Sequence, residues 1–422
     1  MKTLLLAEYL AFFCEYLDLC PMDIQKKKKI ALVLSGGGIK AAAYHIGVCL
    51  ALQEKGFKFS GGSKEIITLK KNASKPSEKL IELYVGSSAG AFISSTLASG
   101  RSLESLISAF QVGFKLNNSI KIHDDEKIKP IGYRHIFNMN TKRMLSFIPE
   151  ALMQKSIITG GLESLIKKGF KLNGLFNTNG LERYLRKYIL EENDFNRLGA
   201  ELFIIATQLN HSRKTVFGNF KESTKTDTIK FVNYATISQA VAASAALPPV
   251  FAPYPIKKPD GKIIYHYDGE IRDTLSTHVA ADHGADLIIA SYSMQPYHYV
   301  PEIGSLHKFG MPAIINQALY QALEQKVAKH ILYQQQKKEV YASLKEICED
   351  ENLSGKLKER ILSTVKKDLD LKPEIDYIYI APRPQDYEMF FADHFSLNSK
   401  ILEKIVKIGF KSGVTNLRAL DN

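Results

Sequence analysis

Cysteine is scarce in this 422-residue chain: Cys14, Cys20, Cys49 and Cys348 are the full set, and none pairs at the short spacing of a zinc or redox motif. That excludes a disulfide framework and points to free thiols in a reducing compartment. Long apolar runs are missing too, since no stretch reaches the roughly 18 uninterrupted residues of a membrane span. The first twenty residues come nearest to a targeting signal, but Glu8, Glu15 and Asp18 break the run and no small-residue cleavage site follows. The chain is therefore expected to be cytoplasmic or peripheral to a membrane, with non-classical secretion left open. There is no internal repeat, no zinc-ligand spacing, no aromatic RNA-binding signature and no basic recognition helix. The 56 Lys+Arg against 44 Asp+Glu, a formal +12, thus do not read as a nucleic-acid footprint. Scattered positive charge favours anionic partners in general, a membrane surface or acidic small molecules among them.

What is present is a chain 45% hydrophobic, long enough for a large core. Leu5, Leu6, Tyr9, Leu10, Phe13, Tyr16 and Leu17 fall at helical spacing, which predicts an amphipathic helix that either caps the core or anchors at an interface. Lys26 to Lys29 lead into an apolar strand, Ile30 to Leu34, followed by Gly36, Gly37 and Gly38 and an Ala-rich helix from Ala41 to Glu54. After a polar loop, Gly61 to Lys79, the order repeats: strand Ile81 to Val85, tight turn Gly86-Ser87-Ser88-Ala89-Gly90, helix. Strands alternating with helices predict an α/β fold of three layers, α/β/α, with a mainly parallel central sheet. Further helices are expected at Leu181 to Ile189 and Ile237 to Ala246, and strands at Leu202 to Thr207, Lys262 to Tyr267, Leu287 to Ser291 and Tyr377 to Ile380. The domain reading is a lead-in at 1–28, a catalytic domain at 29–300 with a basic helical insertion at about 100–171, a second helical insertion at 301–372, and a strand and helix at 373–422 that complete the domain.

Gly86-x-Ser88-x-Gly90 has the form of a nucleophile elbow, in which a sharp strand-to-helix turn presents a hydroxyl at the sheet's carboxyl edge. Its glycines leave room where backbones crowd; the rival reading is an inert Gly/Ser turn. Ser87, the adjacent hydroxyl, is wrongly spaced to the glycines. Gly36-Gly37-Gly38 aims several N–H groups at one point, a nest for a phosphate or for an oxyanion. A P-loop is excluded because Ala41 follows Lys40. A dinucleotide fingerprint lacks its acidic residue at the end of the second strand. With an elbow serine downstream, an oxyanion hole is the better use. Asp268-Gly269 is either a hairpin turn or a site carboxylate, and Asp260-Gly261, set among lysines and a proline, is the better hairpin. Asp268 ends an aromatic strand, where a carboxylate of a parallel sheet would reach an active site.

These segments, with Ala242-Ala-Ser-Ala-Ala-Leu-Pro-Pro-Val-Phe251, occur in the order and spacing of the patatin-like phospholipases, which the chain resembles from about Lys29 to Ser291. Weaker echoes are Gly174 to Leu181, Ile205 to Leu209 and Gly284 to Ala290. The resemblance implies that Ser88 attacks an ester, that Asp268 activates it without a histidine, and that Gly36, Gly37 and Gly38 hold the oxyanion, with Gly86 and Gly90 shaping the elbow. Its implied substrate is a phospholipid or other acyl ester, with no metal and no organic cofactor. Ala41 stands where the family has glycine, Glu270 where a second glycine after Asp268-Gly269 is common, Asp273-Thr274-Leu275-Ser276 in place of an Asn-x-Pro stretch, and Gln208 in place of a common aspartate.

A carboxylate base raises a chemical question, because its ordinary pKa near 4 lies far below that of a serine hydroxyl. Proton transfer must then be concerted with attack, in a dry site where preorganised amides hold the developing charge. Two other readings stay open. One is an ordinary Ser-Asp-His esterase drawing on His278, His283, His298, His307, His330 or His394; the other is a non-catalytic lipid-binding module of the same fold.

Overall fold

The computed structural model describes residues 24–65, 79–112, 128–139 and 173–418. The expected N-terminal helix, most of the polar loop and most of the first helical insertion lie outside them. Strand β1 (Ile30–Leu34) runs into helix α1 (Gly38–Glu54) through the glycine turn; short β2 (Lys58–Phe59) follows, and β3 (Leu80–Ser87) runs into α2 (Ala89–Ala98) through the serine turn. Beyond α3 (Leu103–Ala109), β4 (Asn138–Met139) and β5 (Phe176–Asn177) form a separate two-stranded ladder. Helix α4 (Asn179–Tyr184) is continued by one π-helical turn, Leu185–Ile189. There follow β6 (Glu201–Gln208), β7 (Lys214–Phe217), β8 (Ile229–Val232), α5 (Ile237–Ser244), β9 (Tyr254–Lys257), β10 (Ile263–Asp268), α6 (Thr277–Asp282) and β11 (Leu287–Ser291). Two long helices, α7 (Met311–Asp350) and α8 (Gly355–Asp368), precede β12 (Asp376–Ile380) and the closing α9 (Ser399–Asn416).

The sheet is mixed but mostly parallel, in the order β12-β11-β1-β3-β6-β10-β9. Strands β12, β11, β1, β3 and β6 run one way, and helices cover both faces, giving a three-layer α/β/α fold. Alternation along β1 assigns the faces: Ile30, Leu32 and Leu34 join the core beneath α1, α2 and α9, whereas Ala31 and Val33 join the one beneath α6 and the middle of α7. Both faces are apolar because both are covered, so the central strands read as unbroken hydrophobic runs. Helix α1 is buried nearly end to end. It crosses α9 at close quarters, and a Cβ on Gly47 would stand 2.1 Å from the Val406 carbonyl oxygen.

Two departures from the expected arrangement matter for the site. Strands β7, β8 and β9 had no sequence signal, being four residues each. More important, β10 is antiparallel to β6 and to β9, not a parallel strand. Along one edge of β6, β3 pairs with Glu201 to Ile205 and β10 takes over at Ala206, with Ser87 opposite Ile205 and Asp268 opposite Ala206. The two strands meet end to end. The β9–β10 hairpin, turned at Asp260-Gly261, projects past the sheet's carboxyl edge, and β10 descends from it to that meeting point.

Candidate active site

Ser88 sits where β3 ends and α2 begins, with φ 50° and ψ −116°. A non-glycine residue there is strained, and such strain persists only where surrounding structure fixes it. The neighbours supply that constraint. The Ser88 N–H donates to Ser244 Oγ at 2.7 Å, and the Ser244 hydroxyl in turn donates to the Ile205 carbonyl of β6. Gly90 N–H donates to the Ser35 carbonyl at 3.1 Å, tying α2 to the glycine turn. A Cβ on Gly90 would lie 2.1 Å from the Leu34 carbonyl oxygen, and one on Gly86 would lie 2.5 Å from that of Gly90. The turn therefore needs both glycines for close approach, not for backbone freedom.

Asp268 faces Ser88 from the end of β10. Its backbone is held on both sides, N–H to the Ala246 carbonyl at 3.1 Å and carbonyl to Thr207 Oγ1 at 3.0 Å. Burial raises the carboxyl pKa to about 6, against the stabilising hydrogen bonds of the Ser88 hydroxyl and the Glu270 N–H, the latter at 2.9 Å. Around neutral pH this leaves a desolvated carboxylate paired with a serine hydroxyl.

The glycine turn lies on the other side of Ser88. Gly37 and Gly38 have φ 130° and 75°, values that favour glycine. Their N–H groups meet no acceptor among the described residues. The C-terminal part of the chain backs this turn: the His394 carbonyl accepts from Ile39 N–H at 2.7 Å, and buried Lys40 donates from Nζ to the Met389 carbonyl at 2.7 Å. Sequence reasoning missed this support, and no local motif announces it.

Gly36 is different, because its N–H donates to Glu270 Oε1 at 2.7 Å. Ser87, the misplaced neighbour of the elbow, donates its hydroxyl to the same oxygen. Burial, with Asp268 and Asp273 nearby, raises the Glu270 carboxyl to about 8 despite these two bonds. Sequence reasoning noted Glu270 as a departure from glycine and gave it no role; a lone acidic residue in that place was the available signal.

From Ser88 an apolar slot opens, walled by Phe92, Phe110, Ile131, Ile136, Leu181 and Phe251. A hydrocarbon chain fits such walls better than a sugar or a nucleotide does. The histidines stand elsewhere. His278 contacts Lys214, His283 bonds the Val279 carbonyl, His298 meets Gln295, His307 meets Ser305, His330 meets Thr277 and His394 meets the Tyr320 hydroxyl. Among the described residues, none is hydrogen-bonded to Ser88 or Asp268.

The family model described as "Patatin-like phospholipase" matches residues 32–281, which contain the serine turn, the glycine turn and Asp268. No curated protein matches the chain. Among solved structures, that of full-length ExoU from the type III secretion system of Pseudomonas aeruginosa, in complex with SpcU, aligns at 16% identity over 90% of this chain and 76% of that one, with a TM-score of 0.20.

Proposed function

Because the chain belongs to the patatin-like phospholipase family, whose general activity is hydrolysis of lipid acyl esters, we propose that it is a phospholipase A or lysophospholipase with Ser88 as nucleophile and Asp268 as base. The observation that carries this reading is the pairing of a strained, buried Ser88 with a buried Asp268 at the mouth of an apolar slot.

The chemistry follows from the geometry. Ser88 Oγ attacks the ester carbonyl carbon as its proton passes to the Asp268 carboxylate, so the base never competes for the proton of a free hydroxyl. The carbonyl oxygen becomes an oxyanion held by N–H groups of the glycine turn, at the N-terminus of α1, whose dipole favours negative charge. When the C–O bond to the head-group side breaks, Asp268 returns the proton to the departing alkoxide and leaves an acyl-Ser88. A water molecule then attacks the acyl carbon, giving its proton to Asp268, and collapse releases the fatty acid and restores the Ser88 hydroxyl. The acyl chain lies in the Phe92–Phe251 slot throughout.

A fluorophosphonate probe tests the assignment: it should attach to Ser88 alone, and Asp268→Asn should slow labelling by orders of magnitude. Normal labelling of folded Ser88→Ala would sink the reading. Net charge supports a second element of it, an anionic lipid surface as the place of work, since each basic residue close to such a surface contributes about 1 kcal/mol. Vesicle sedimentation should show tighter binding to anionic than to neutral lipid, with the difference shrinking as salt rises. Equal binding to both lipids at low salt would remove that element.

A further inference from the structure

Glu270 is a buried carboxyl that the mechanism above does not use, and it touches the machinery at two points. Oε1 takes the Gly36 N–H at 2.7 Å and the Ser87 hydroxyl, whereas Oε2 is buried without a hydrogen-bond partner. A Cβ built on Gly36 would lie 2.5 Å from Glu270 Cγ and 2.8 Å from Ser88 Cβ, so Gly36 is wedged between those two side chains. The carboxyl therefore lies where an anion beside Ser88 would collect the same amide. An acidic oxygen on an amide of an anion nest is itself the kind of ligand such a nest binds.

We propose that Glu270 is a positioning residue that occupies the Gly36 amide as a built-in competitor, so that an ester carbonyl gains its full set of oxyanion donors only when the Glu270 side chain gives that amide up. The proposal rests on the reading of Ser88 as nucleophile. Displacement is feasible because only one of the two carboxyl oxygens is tied, and the Ser87 hydroxyl can follow the side chain or turn to another acceptor. The protonation state sets how firmly the amide is held. Asp268 and Asp273 face Glu270 and favour its neutral form, the second of them paired with Lys214 Nζ at 2.6 Å and lying 3.9 Å from His278 Nδ1. Ser87 and the Gly36 amide favour the ionised form. A neutral acid accepts weakly and releases the amide, whereas a carboxylate grips it roughly twice as strongly and adds a negative charge beside the developing oxyanion. Turnover should thus fall as pH rises through about 8, where burial has placed this carboxyl.

Labelling by a short-chain fluorophosphonate reads the amide directly, because its phosphoryl oxygen takes the oxyanion position. In Glu270→Ala the rate should rise about tenfold or more over wild type, a fraction of the 10²–10³ that one oxyanion donor is worth, and the decline above pH 8 should vanish. Glu270→Gln keeps an acceptor oxygen for Gly36 in nearly the same volume. It should label at the wild-type rate at pH 7 and lose only the alkaline decline, a readout that packing alone would not move. Equal rates for wild type and Glu270→Ala, or labelling in neither, overturn the proposal; so does an alkaline decline that persists in Glu270→Gln, even if the alanine variant fails to fold. Ser88→Ala separates the two levels, since label retained there removes the nucleophile, whereas label lost there with equal rates elsewhere removes only the role of Glu270.

Discussion

The meeting point of β3, β6 and β10 and the helical arm of α7 and α8 obey opposite rules. At the first, Ser87, Ser88, Ser244, Asp268 and Glu270 are all buried polar residues joined by hydrogen bonds, Ser88 to Ser244 and to Asp268, Ser87 to Glu270 and the Glu270 N–H to Asp268. In the arm, α7 runs for 40 residues and buries Tyr320, Leu323, Val327, Lys337 and Cys348, while Met311, Ile314, Ile315 and Leu319 face solvent. The contrast is between a cluster of buried polar side chains at the strand junction and a single buried lysine, Lys337, in the arm; clusters of the first kind are enriched at functional sites.

The sharpest way to break that comparison is to remove one hydroxyl from each region. On the proposed mechanism, Ser88→Ala should lower hydrolysis of a short acyl ester by at least ~10³-fold, since loss of the proposed nucleophile removes the covalent path and leaves only binding and oxyanion stabilisation. Ser363→Ala in α8, where the hydroxyl bonds the Arg360 carbonyl of its own helix and no other partner among the described residues, should leave the rate unchanged. Comparable losses in both would show that the arm takes part in turnover.

Glycines give the next largest contrast. Gly90→Ala places a methyl group 2.1 Å from the Leu34 carbonyl oxygen, and a rigid backbone on both sides makes this overpacking cost about 1–3 kcal/mol or more. Gly355→Ala falls at the first residue of α8, where an added Cβ meets nothing within 4 Å; there the reduced freedom of the unfolded chain stabilises by about 0.4–1 kcal/mol. Denaturant melts of the two variants should move in opposite directions.

Asp268→Asn should separate activity from stability. The folded carboxyl has its pKa raised from 3.8 to about 6 by burial, so its favourable contribution is full below about pH 4 and is lost as pH rises through about 6. Above that pH the native state carries a desolvated charge. The neutral amide avoids it, and the folded variant should be more stable than wild type at pH 8 by up to about 2–3 kcal/mol, the worth of two pKa units. Its ester hydrolysis should collapse, while that of wild type should climb between pH 5 and 7 as the base ionises. A variant less stable than wild type at pH 8 would mean that the Glu270 N–H and Ser88 bonds outweigh the burial.

Legibility in the sequence divides along the same line as the physics. Ile30 to Leu34 and Leu287 to Ser291 were readable to the residue, because a strand buried on both faces is a continuous apolar run with sharp ends. The elbow was readable because a strand, a glycine-flanked serine and a helix are local in sequence. Strand direction is not local: the residues of β10 give a strand, and nothing in them says that it descends antiparallel from a hairpin. The Gly36–Glu270 bond spans 234 positions, so each partner could be noted but not joined. The seat of His394 and Met389 against the glycine turn was hidden for the same reason.

The smallest expected effects lie on the arm's outer face, and they sharpen the comparison most cleanly. Ile315 and Leu319 are one turn apart on α7 and 59% and 54% exposed. Replacing either with Glu removes little buried apolar surface, so stability should change by no more than about 0.5 kcal/mol, the range of ordinary surface substitutions. Hydrolysis of a soluble short-chain ester should stay within about twofold of wild type, because the proposed mechanism asks of a short ester only Ser88, Asp268 and the glycine turn. The same exchange at Ile289, fully buried in β11, leaves a charge without a partner and should prevent folding. Long-chain lipid in vesicles is the informative second substrate for Ile315→Glu and Leu319→Glu. If the arm is inert, the variants cleave vesicles as wild type does. A loss on vesicles with the soluble rate intact would instead assign these exposed side chains to the lipid surface, and the exposed apolar face of the arm would then have a function of its own.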